Sequence, residues 1–90
     1  MKSIIQIERQ CFVCGSPYVE EHHVIHGVAN RKLSEKYGLK VWLCPLHHRD
    51  SKYGVHFDKE FDEELKKFAQ TKFEETYDMD FREVFGKSYK

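Results

Sequence analysis

The stretch Leu43-Cys44-Pro45-Leu46-His47-His48 decides what this chain can fold into, because two residues separate Cys44 from His47. An earlier pair, Cys11 and Cys14, has the same spacing, which lets both donors of a pair turn towards one ion. Three thiolates and one imidazole complete a tetrahedral shell, so the two pairs predict a closed, structural zinc site. The alternative is that the cysteines are reduced core thiols, which are common buried residues. Paired spacing in both halves favours zinc.

Ninety residues are enough for one small domain with a thin core. Chains of this size bury only about 60% of the surface that unfolding exposes, and many rely on a metal for stability. We therefore expect residues 1–90 to form a single α+β domain, with a zinc knuckle and metal-binding core in 11–57 and a helical tail in 58–90. Structural zinc can supply much of the folding free energy of such a domain.

The charges of the chain balance, with 15 basic and 15 acidic residues, but they are distributed unevenly. Residues 1–57 hold eight basic and five acidic residues, whereas 58–90 hold seven basic and ten acidic residues. Net neutrality is a weak argument for nucleic-acid binding, so such a function must rest on the site itself.

The three cysteines, an odd number, and the lack of an apolar leader predict a reduced, cytoplasmic location. No apolar run approaches the roughly 20 residues that span a bilayer, so we expect no membrane role.

Residues 18–25 predict a strand that carries His22 and His23. Because side chains alternate along a strand, the two histidines should point to opposite faces. Residues 3–8 alternate weakly and predict a further short strand.

Residues 29–37 predict a short helix, with Asn30 as its N-cap and Gly38 as its end. Residues 41–43 predict the next strand. Pro45 then suits the first turn of a helix or a tight zinc-binding turn.

The tail predicts two helices. In residues 58–77, apolar side chains recur at three- and four-residue steps, as in an amphipathic helix; they are Phe61, Leu65, Phe68, Ala69, Phe73 and Tyr77. Residues 81–85 predict a second helix, with Asp80 and Glu83 in capping-box spacing and Gly86 at its end.

Further histidines complete a pattern that resembles a known nuclease family. The pattern is Cys-x2-Cys, then a His-His pair on a strand, then Leu-Cys-x2-(Cys or His)-His and a later His. Here it consists, after the first cysteine pair, of Glu21-His22-His23, Leu43-Cys44-Pro45-Leu46-His47-His48 and Gly54-Val55-His56. It resembles the zinc-supported HNH endonucleases and is most similar to phage-type members, including the recombination-enhancing Ref-like group. The resemblance covers residues 11–57 and extends less specifically into the tail.

The resemblance implies a small zinc-stabilised ββα-metal (HNH, or His-Me finger) domain, here with a C-terminal helical extension, in a bacterial or phage-encoded protein. It implies that His22 binds the catalytic metal, that His23 is the general base, and that His48 and His56 supply further ligands. The metal would be a divalent ion such as Mg²⁺, Mn²⁺, Ni²⁺ or Zn²⁺, and the activity that of a DNA endonuclease or nickase. A recombination protein would be a candidate partner.

One position departs from the family pattern. The family's middle asparagine usually lies about five residues before the Leu-Cys cysteine, where Leu39 or Lys40 stands in this chain. Asn30 is a weak substitute for it and has an alternative interpretation as a helix cap.

The residue types suit phosphodiester hydrolysis independently of the family. An imidazole has an ordinary pKa of about 6.5, so a neutral His23 can take a proton from water at physiological pH. Three protein ligands leave coordination positions open, which a metal needs in order to act on a phosphate. The alternative for any single histidine is an ordinary surface or core residue. His26 is interpreted as a neighbour of the site rather than a ligand.

Basic residues flank the proposed site on both sides and are candidates for binding DNA phosphates; they are Arg31, Lys32, Lys36, Lys40, Arg49 and Lys52. For each of them an ordinary solvated helix face is an equally good interpretation. No base-reading motif is present, so the sequence predicts no sequence specificity. The acidic tail helix is interpreted as a core cover or a homodimer surface.

Two functions stay open at this point. The first is a metal-dependent DNA endonuclease or nickase. The second is a non-catalytic, zinc-stabilised module that binds nucleic acid or protein. The intact His23 favours the enzyme, because a domain kept only for its zinc fold needs no base beside a metal ligand.

Overall fold

A two-stranded antiparallel sheet carries the histidine pair, and the computed structural model describes residues 2–90. Its elements in chain order are β1 (Glu20–His23), α1 (Val28–Tyr37), β2 (Lys40–Leu43), α2 (Pro45–Arg49), α3 (Lys59–Thr76) and α4 (Phe81–Phe85). The α+β class predicted from the sequence is confirmed. Within residues 2–90, no helix combines the length and the apolar character that crossing a membrane requires.

The register of the sheet separates the two histidines of the pair. His22 lies opposite Val41, and His23 lies opposite Lys40. Because side chains alternate between the faces of a strand, these two cross-strand pairs lie on opposite faces of the sheet. His22 and Val41 are both buried, whereas His23 and Lys40 are half-buried. The sheet therefore presents one histidine to the core and the other to its outer face.

The segment before β1 does not form the predicted strand over residues 3–8, and that prediction is wrong. Side chains of this segment bind the edge of β2 instead. Ser3 Oγ donates to the carbonyl of Lys40, and Gln6 Oε1 accepts the N–H of Trp42 at 2.8 Å. These bonds come from side chains, which an alternation pattern cannot reveal. β1 is also shorter than predicted and begins at Glu20 rather than at residue 18.

Helix α1 begins one residue earlier than predicted and has a different cap. Gly27, with φ 102°, is its N-cap, and Asn30 lies within the first turn, so the predicted Asn30 cap is wrong. The predicted end at Gly38 is confirmed, since this residue is left-handed with φ 74°. Inside the helix, the buried Ser34 hydroxyl donates to the carbonyl of Ile25 at 2.6 Å and accepts its N–H at 3.2 Å. This reciprocal pair ties α1 to the segment that follows β1.

The helical tail supplies the aromatic part of the core. Helix α3 begins at the predicted position, where the Asp58 carboxylate accepts the N–H of Phe61 at 3.1 Å. Phe73 of α3 is fully buried, and its ring centroid lies 5.4–5.7 Å from those of Tyr37, Phe81 and Phe85. Helix α3 therefore packs on α1 and α4, in agreement with the interpretation of the tail as a core cover.

Helix α4 has the predicted bounds and ends at the predicted Gly86, which has φ 80°. Asp80 caps it, but its carboxylate accepts the N–H of Arg82 at 2.9 Å rather than that of Glu83. The capping residue is confirmed, whereas the capping-box partner is wrong.

Candidate metal centres

The predicted zinc ligands lie close together and can hold a metal such as zinc; they are Cys11, Cys14, Cys44 and His47, with one donor atom each within 4.8 Å of the others. The Sγ atoms of Cys14 and Cys44 are 3.8 Å apart. Nδ1 of His47 lies 3.6 Å from Sγ of Cys11 and 3.2 Å from Sγ of Cys44. Tetrahedral zinc bond lengths would place two sulfurs about 3.8 Å apart and a sulfur and a nitrogen about 3.5 Å apart. The donor set therefore fits zinc in identity and in spacing.

Two tight turns bring the cysteine pairs together. In the first turn, the N–H of Gly15 donates to the carbonyl of Cys11 at 2.8 Å, and Gly15 is left-handed with φ 78°. In the second, Cys44 is the N-cap of α2 and Pro45 is its first residue, as the sequence predicted. His47 consequently lies in the first turn of α2, where its ring reaches the thiols.

Two thiols of this cluster, those of Cys11 and Cys14, have pKa values that depart from that of a free cysteine in opposite directions. Burial opposes ionisation of Cys11, but the N–H groups of Cys44 and Cys14 and the ring of His47 outweigh it and lower its pKa to about 6. At Cys14, the N–H of Ser16 lowers the pKa, but desolvation and the neighbouring thiols raise it above the ordinary value. The thiols thus compete for ionisation within one small volume. A divalent metal would displace the remaining protons, as thiolate ligands require.

Three histidine rings form a second cluster, which we call the three-histidine cluster: His22, His48 and His56. Their donor nitrogens lie within 4.8 Å of one another. The ring centroid of His22 lies 5.2 Å from that of His48 and 5.0 Å from that of His56. The Nε2 atoms of His48 and His56 are 3.2 Å apart, close to the about 3.3 Å expected for two imidazoles on one tetrahedral zinc ion. The residues that the family resemblance marked as catalytic-metal ligands therefore meet in space.

Each ring of the three-histidine cluster comes from a different part of the chain. His22 projects from the buried face of β1. His48 belongs to α2 and directly follows His47, a member of the zinc cluster. His56 lies on the loop after α2. The two clusters are therefore joined through α2 and share no ligand.

A backbone crossing at Gly54 places His56. The loop after α2 turns back along the helix, and the N–H of Val55 donates to the carbonyl of His47 at 2.8 Å. A Cβ atom at Gly54 would lie 2.6 Å from the nitrogen and 2.7 Å from the oxygen of the Asp50 backbone. Those distances are shorter than any ordinary contact, so this return needs glycine.

His22 has a polar atom that the protein leaves unsatisfied. It is 2% exposed, and its Nε2 is buried without a hydrogen-bond partner among the described residues. Burial, with smaller effects from His48 and His56, lowers its pKa to about 3. Burial, then His48 and His26, also lowers the pKa of His56, although Asp62 opposes this. Both rings are therefore neutral near pH 7, the state in which imidazole binds metals.

Glu20 orients His48, and sequence reasoning did not identify it. Its Oε1 accepts a hydrogen bond from Nδ1 of His48 at 2.8 Å, which leaves Nε2 directed at His56. The same carboxylate accepts from Nε of Arg49 at 3.0 Å. The bond from His48 outweighs desolvation and, with Arg49, lowers the pKa of Glu20. Because Glu20 stands two residues before His22 on one strand, alternation would place both on one face and was a usable signal.

His23 lies in a separate network on the outer face of the sheet. Its Nε2 is 2.9 Å from Oε1 of Glu35 and 3.6 Å from Oε1 of Glu21. The Lys40 ammonium donates to both oxygens of Glu35, at 3.1 and 3.0 Å, and pairs with Glu21 at 3.4 Å. Glu21, His23 and Glu35 also have metal-ligand spacing, but both carboxylates already pair with Lys40. We interpret the network as one that orients His23. Sequence reasoning missed Glu35, which lies on a different element.

Both histidines of the pair open into one cavity of about 420 Å³, which we call the histidine cavity; its walls include His22, His23, His26, Val28, Arg31, His48 and His56. The His26 side chain is 42% exposed, and its Nε2 lies 3.3 Å from Oδ1 of Asp62. His26 is thus a neighbour of the cluster, as interpreted from the sequence. The three-histidine cluster and His23 therefore border the same space.

The predicted DNA-binding residues differ in their surroundings. Arg31 lines the histidine cavity, and Lys32 lines an adjoining depression beside His23. Lys40 is held by Glu35 and Glu21, and Arg49 pairs with Glu20 at 2.9 Å. Arg31 is therefore the cation best placed to meet a phosphate at the cluster.

Lys36 and Lys52 lie outside the histidine cavity. Their ammonium groups lie over neighbouring rings, 5.3 Å from the centroid of Tyr37 and 5.4 Å from that of Tyr53. These arrangements resemble solvated helix and loop surfaces more than a phosphate site.

No protein-family model, curated protein or solved structure matches this chain. The likeness to HNH endonucleases therefore rests on the motif residues alone, and the family belongs with the proposals below. At the position of the family's asparagine, Leu39 is fully buried and Lys40 bonds Glu35.

Proposed function

We propose that this protein is a metal-dependent DNA endonuclease or nickase of the HNH, ββα-metal type, which hydrolyses phosphodiester bonds. The observation that carries the proposal is the buried, unpartnered Nε2 of His22, set among three imidazoles beside the cavity that also holds His23. A purely structural buried histidine normally has its nitrogens satisfied, because an unsatisfied one costs about 1–3 kcal/mol. A metal ligand explains the exception.

The two clusters differ in what they leave open. The cysteine-rich cluster has four donors and closes a tetrahedral shell, whereas the three-histidine cluster has three and leaves room for water or a phosphate oxygen. A divalent metal bound there would offset charge on the scissile phosphate and on the leaving 3′ oxygen. Imidazole ligands suit Zn²⁺ or Ni²⁺ better than Mg²⁺, and Mn²⁺ lies between them.

His23, on the wall of the histidine cavity, and its partner Glu35 suit a proton transfer. Because a carboxylate can only accept, Nε2 of His23 carries the proton in their 2.9 Å hydrogen bond, and Nδ1 keeps the lone pair. That nitrogen can take a proton from an attacking water, and Glu35 then stabilises the imidazolium. Arg31, on the wall of the cavity, can hold the phosphate in place.

The order of the elements supports the same proposal. The antiparallel strands β1 and β2, which α1 connects, precede α2, with His22 on the first strand and His48 on the helix. A ββα-metal arrangement requires this order.

A second candidate is a non-catalytic, zinc-stabilised module that binds nucleic acid or protein. The ion pairs of Lys40 and Arg49 favour its protein-binding form, because they reduce the cationic surface that DNA would bind around the histidine cavity. A recombination-protein partner, a homodimer and a cytoplasmic location stay predictions.

Plasmid nicking distinguishes the two functions. Zinc-loaded protein is incubated with supercoiled plasmid and Mg²⁺, Mn²⁺, Ni²⁺ or Zn²⁺ in turn. We expect nicked circles with at least one metal, and a loss of about 100-fold or more in His23→Ala. His26→Ala is the matched control, since it removes a histidine of the same cavity that is neither a ligand nor the base. DNA binding without nicking under all four metals would support the binding module.

A further inference from the structure

A second cavity, of about 410 Å³, lies on the outer face of the sheet. One wall is Trp42, which pairs with Glu21 across the sheet; others come from the N-terminal segment and include Lys2, Ile7 and Arg9. By strand alternation this is also the face of His23 and Lys40. The metal clusters do not use this cavity, so the proposed hydrolysis leaves it without a role.

The cavity has two flat surfaces. The guanidinium of Arg9 lies over the indole of Trp42, 4.9 Å from the ring centroid. The backbone of Trp42 is fixed, because its N–H donates to Oε1 of Gln6 at 2.8 Å. Aromatic rings and guanidinium planes are the groups on which unpaired nucleobases stack. We call the space beside Trp42 and Arg9 the indole slot.

The rim of the indole slot combines apolar and cationic groups. Ile7 is 98% exposed and stands at the slot without cover. Within residues 2–90, Lys2 and Arg9 form no ion pair, whereas Lys40 is paired with Glu21 at 3.4 Å. An apolar slot with uncompensated cations suits a ligand that has a flat, apolar body and an anionic backbone. A nucleotide within a strand has both.

Glu21 connects the indole slot to the histidine cavity, because it lines both. Lys40, which Glu21 shares with Glu35, partly offsets the charge of Glu21, so the boundary repels a phosphate backbone less than a bare carboxylate would. A strand with one phosphate at the three-histidine cluster can therefore continue across this pair and bring a neighbouring base to Trp42.

We propose that the indole slot receives one unpaired nucleobase of the strand that is cut, an inference that rests on the proposed function for the identity of that strand. A base inside an intact duplex is stacked and paired, and it would have to leave the helix to enter. The preferred substrate is therefore single-stranded or frayed DNA. Stacking accepts every base, so the slot confers no sequence preference.

The fluorescence of Trp42 tests this directly, because it is the single tryptophan of the chain. Zinc-loaded protein, without a second metal, is titrated with a short thymidine oligonucleotide and with an abasic deoxyribose-phosphate chain of the same length and charge. We expect the emission to change with the thymidine oligonucleotide and to stay nearly constant with the abasic chain. No change with either, or the same change with both, overturns the proposal.

Binding of a labelled oligonucleotide by variants provides the second measurement. Trp42→Ala should weaken affinity about 5- to 100-fold, and Trp42→Phe, which keeps a stacking ring, less than about threefold. Because Trp42 is half-buried, Ile7→Ser keeps the test valid if Trp42→Ala does not fold, and it should also weaken binding. Met79→Ser, an exposed apolar residue outside the slot, is the control. Equal affinity of the wild type and Trp42→Ala, or of the wild type and Ile7→Ser if Trp42→Ala does not fold, contradicts the slot, and so does unchanged fluorescence.

The nuclease proposal and the indole-slot proposal are rejected by different results. Plasmid nicking without a base-dependent change at Trp42 removes the indole slot and keeps the nuclease. A base-dependent change without cleavage of either plasmid or single-stranded DNA under any metal keeps the slot and removes the nuclease, leaving a single-strand binding module.

Discussion

Nδ1 of His48 lies 2.8 Å from Oε1 of Glu20, so this carboxylate determines which nitrogen of His48 faces His56. Carboxylates that orient a ligating imidazole typically contribute 10- to 100-fold to metal affinity. We expect Glu20→Ala to weaken binding of the second metal by about that factor, as measured by calorimetric titration with Ni²⁺ or Zn²⁺. Arg49→Ala, which removes the other partner of Glu20, should change it far less. Equal losses in the two variants would assign the effect to the ion pair instead.

The cysteine-rich cluster should hold about one tightly bound zinc ion per chain, which elemental analysis can count. Cys14→Ser or Cys44→Ser should abolish the cooperative melt, because structural zinc supplies folding free energy in a domain of this size. Val13→Ser, an exposed position between the two cysteines of the first turn, should keep both zinc and melt. A metal-free protein with an unchanged melt would contradict the zinc assignment.

His23 and His48 should separate chemistry from metal binding. His48→Ala removes a donor of the three-histidine cluster, so the second metal should bind weakly in calorimetry. His23 lies in the network with Glu35 and is not a member of the three-histidine cluster. In His23→Ala, metal affinity should therefore stay nearly intact while plasmid nicking is lost. The reverse pattern would exchange the roles of the two histidines.

Gly54→Ala should damage the second cluster without removing the zinc. The added methyl group would meet the Asp50 backbone at 2.6–2.7 Å, so the loop must shift and carry His56 with it. We expect affinity for the second metal to fall about tenfold or more, with zinc content unchanged. Ser51→Ala, an exposed substitution in the same loop, is the control. Unaltered affinity would show that His56 is not a ligand.

Stability should fall on acidification because of His22. In the unfolded chain this ring takes up a proton near its ordinary pKa of 6.5, whereas in the folded protein its pKa is about 3. Below pH 6.5 the unfolded state therefore binds one more proton, and folding loses about 1.4 kcal/mol per pH unit until the folded pKa is reached. Between pH 7 and 5 the wild type should lose about 2 kcal/mol more than His22→Gln in urea unfolding, with both proteins zinc-loaded and without a second metal. Parallel losses would show that His22 is not buried in its neutral form.

The positions of the metal-ligand residues could be predicted because their signals are local. Two intervening residues bring Cys11 and Cys14 to one ion whatever the rest of the chain does. Gly38 and Gly86 end helices because left-handed backbone is a property of single residues. For the same reason the helix bounds of the tail were nearly correct.

The partners that orient the histidines could not be predicted in this way. Glu35 reaches His23 from α1, and the bond of Ser34 to Ile25 crosses between elements. Both contacts depend on how α1 packs against the sheet, and the spacing of residues in the sequence does not predict that packing. The prediction of Asn30 as the cap was wrong because Gly27 is the N-cap. Gly27 begins the helix through its positive φ and has no side chain that a search for capping residues could detect.

Adjacent residues of α2 serve both clusters, since His47 reaches the thiols and His48 the other two imidazoles. A helix of five residues does not persist alone in water, so α2 depends on what holds its first turn. If α2 is not formed, the imidazole of His48 is not held at a fixed distance from His22 on β1. We therefore expect the two metal ions to bind in a fixed order. The cysteine-rich cluster binds zinc first, and the three-histidine cluster binds its metal only afterwards. Oxidation of the exposed Cys14 thiol would then prevent metal binding at the three-histidine cluster, although Cys14 is not one of its ligands.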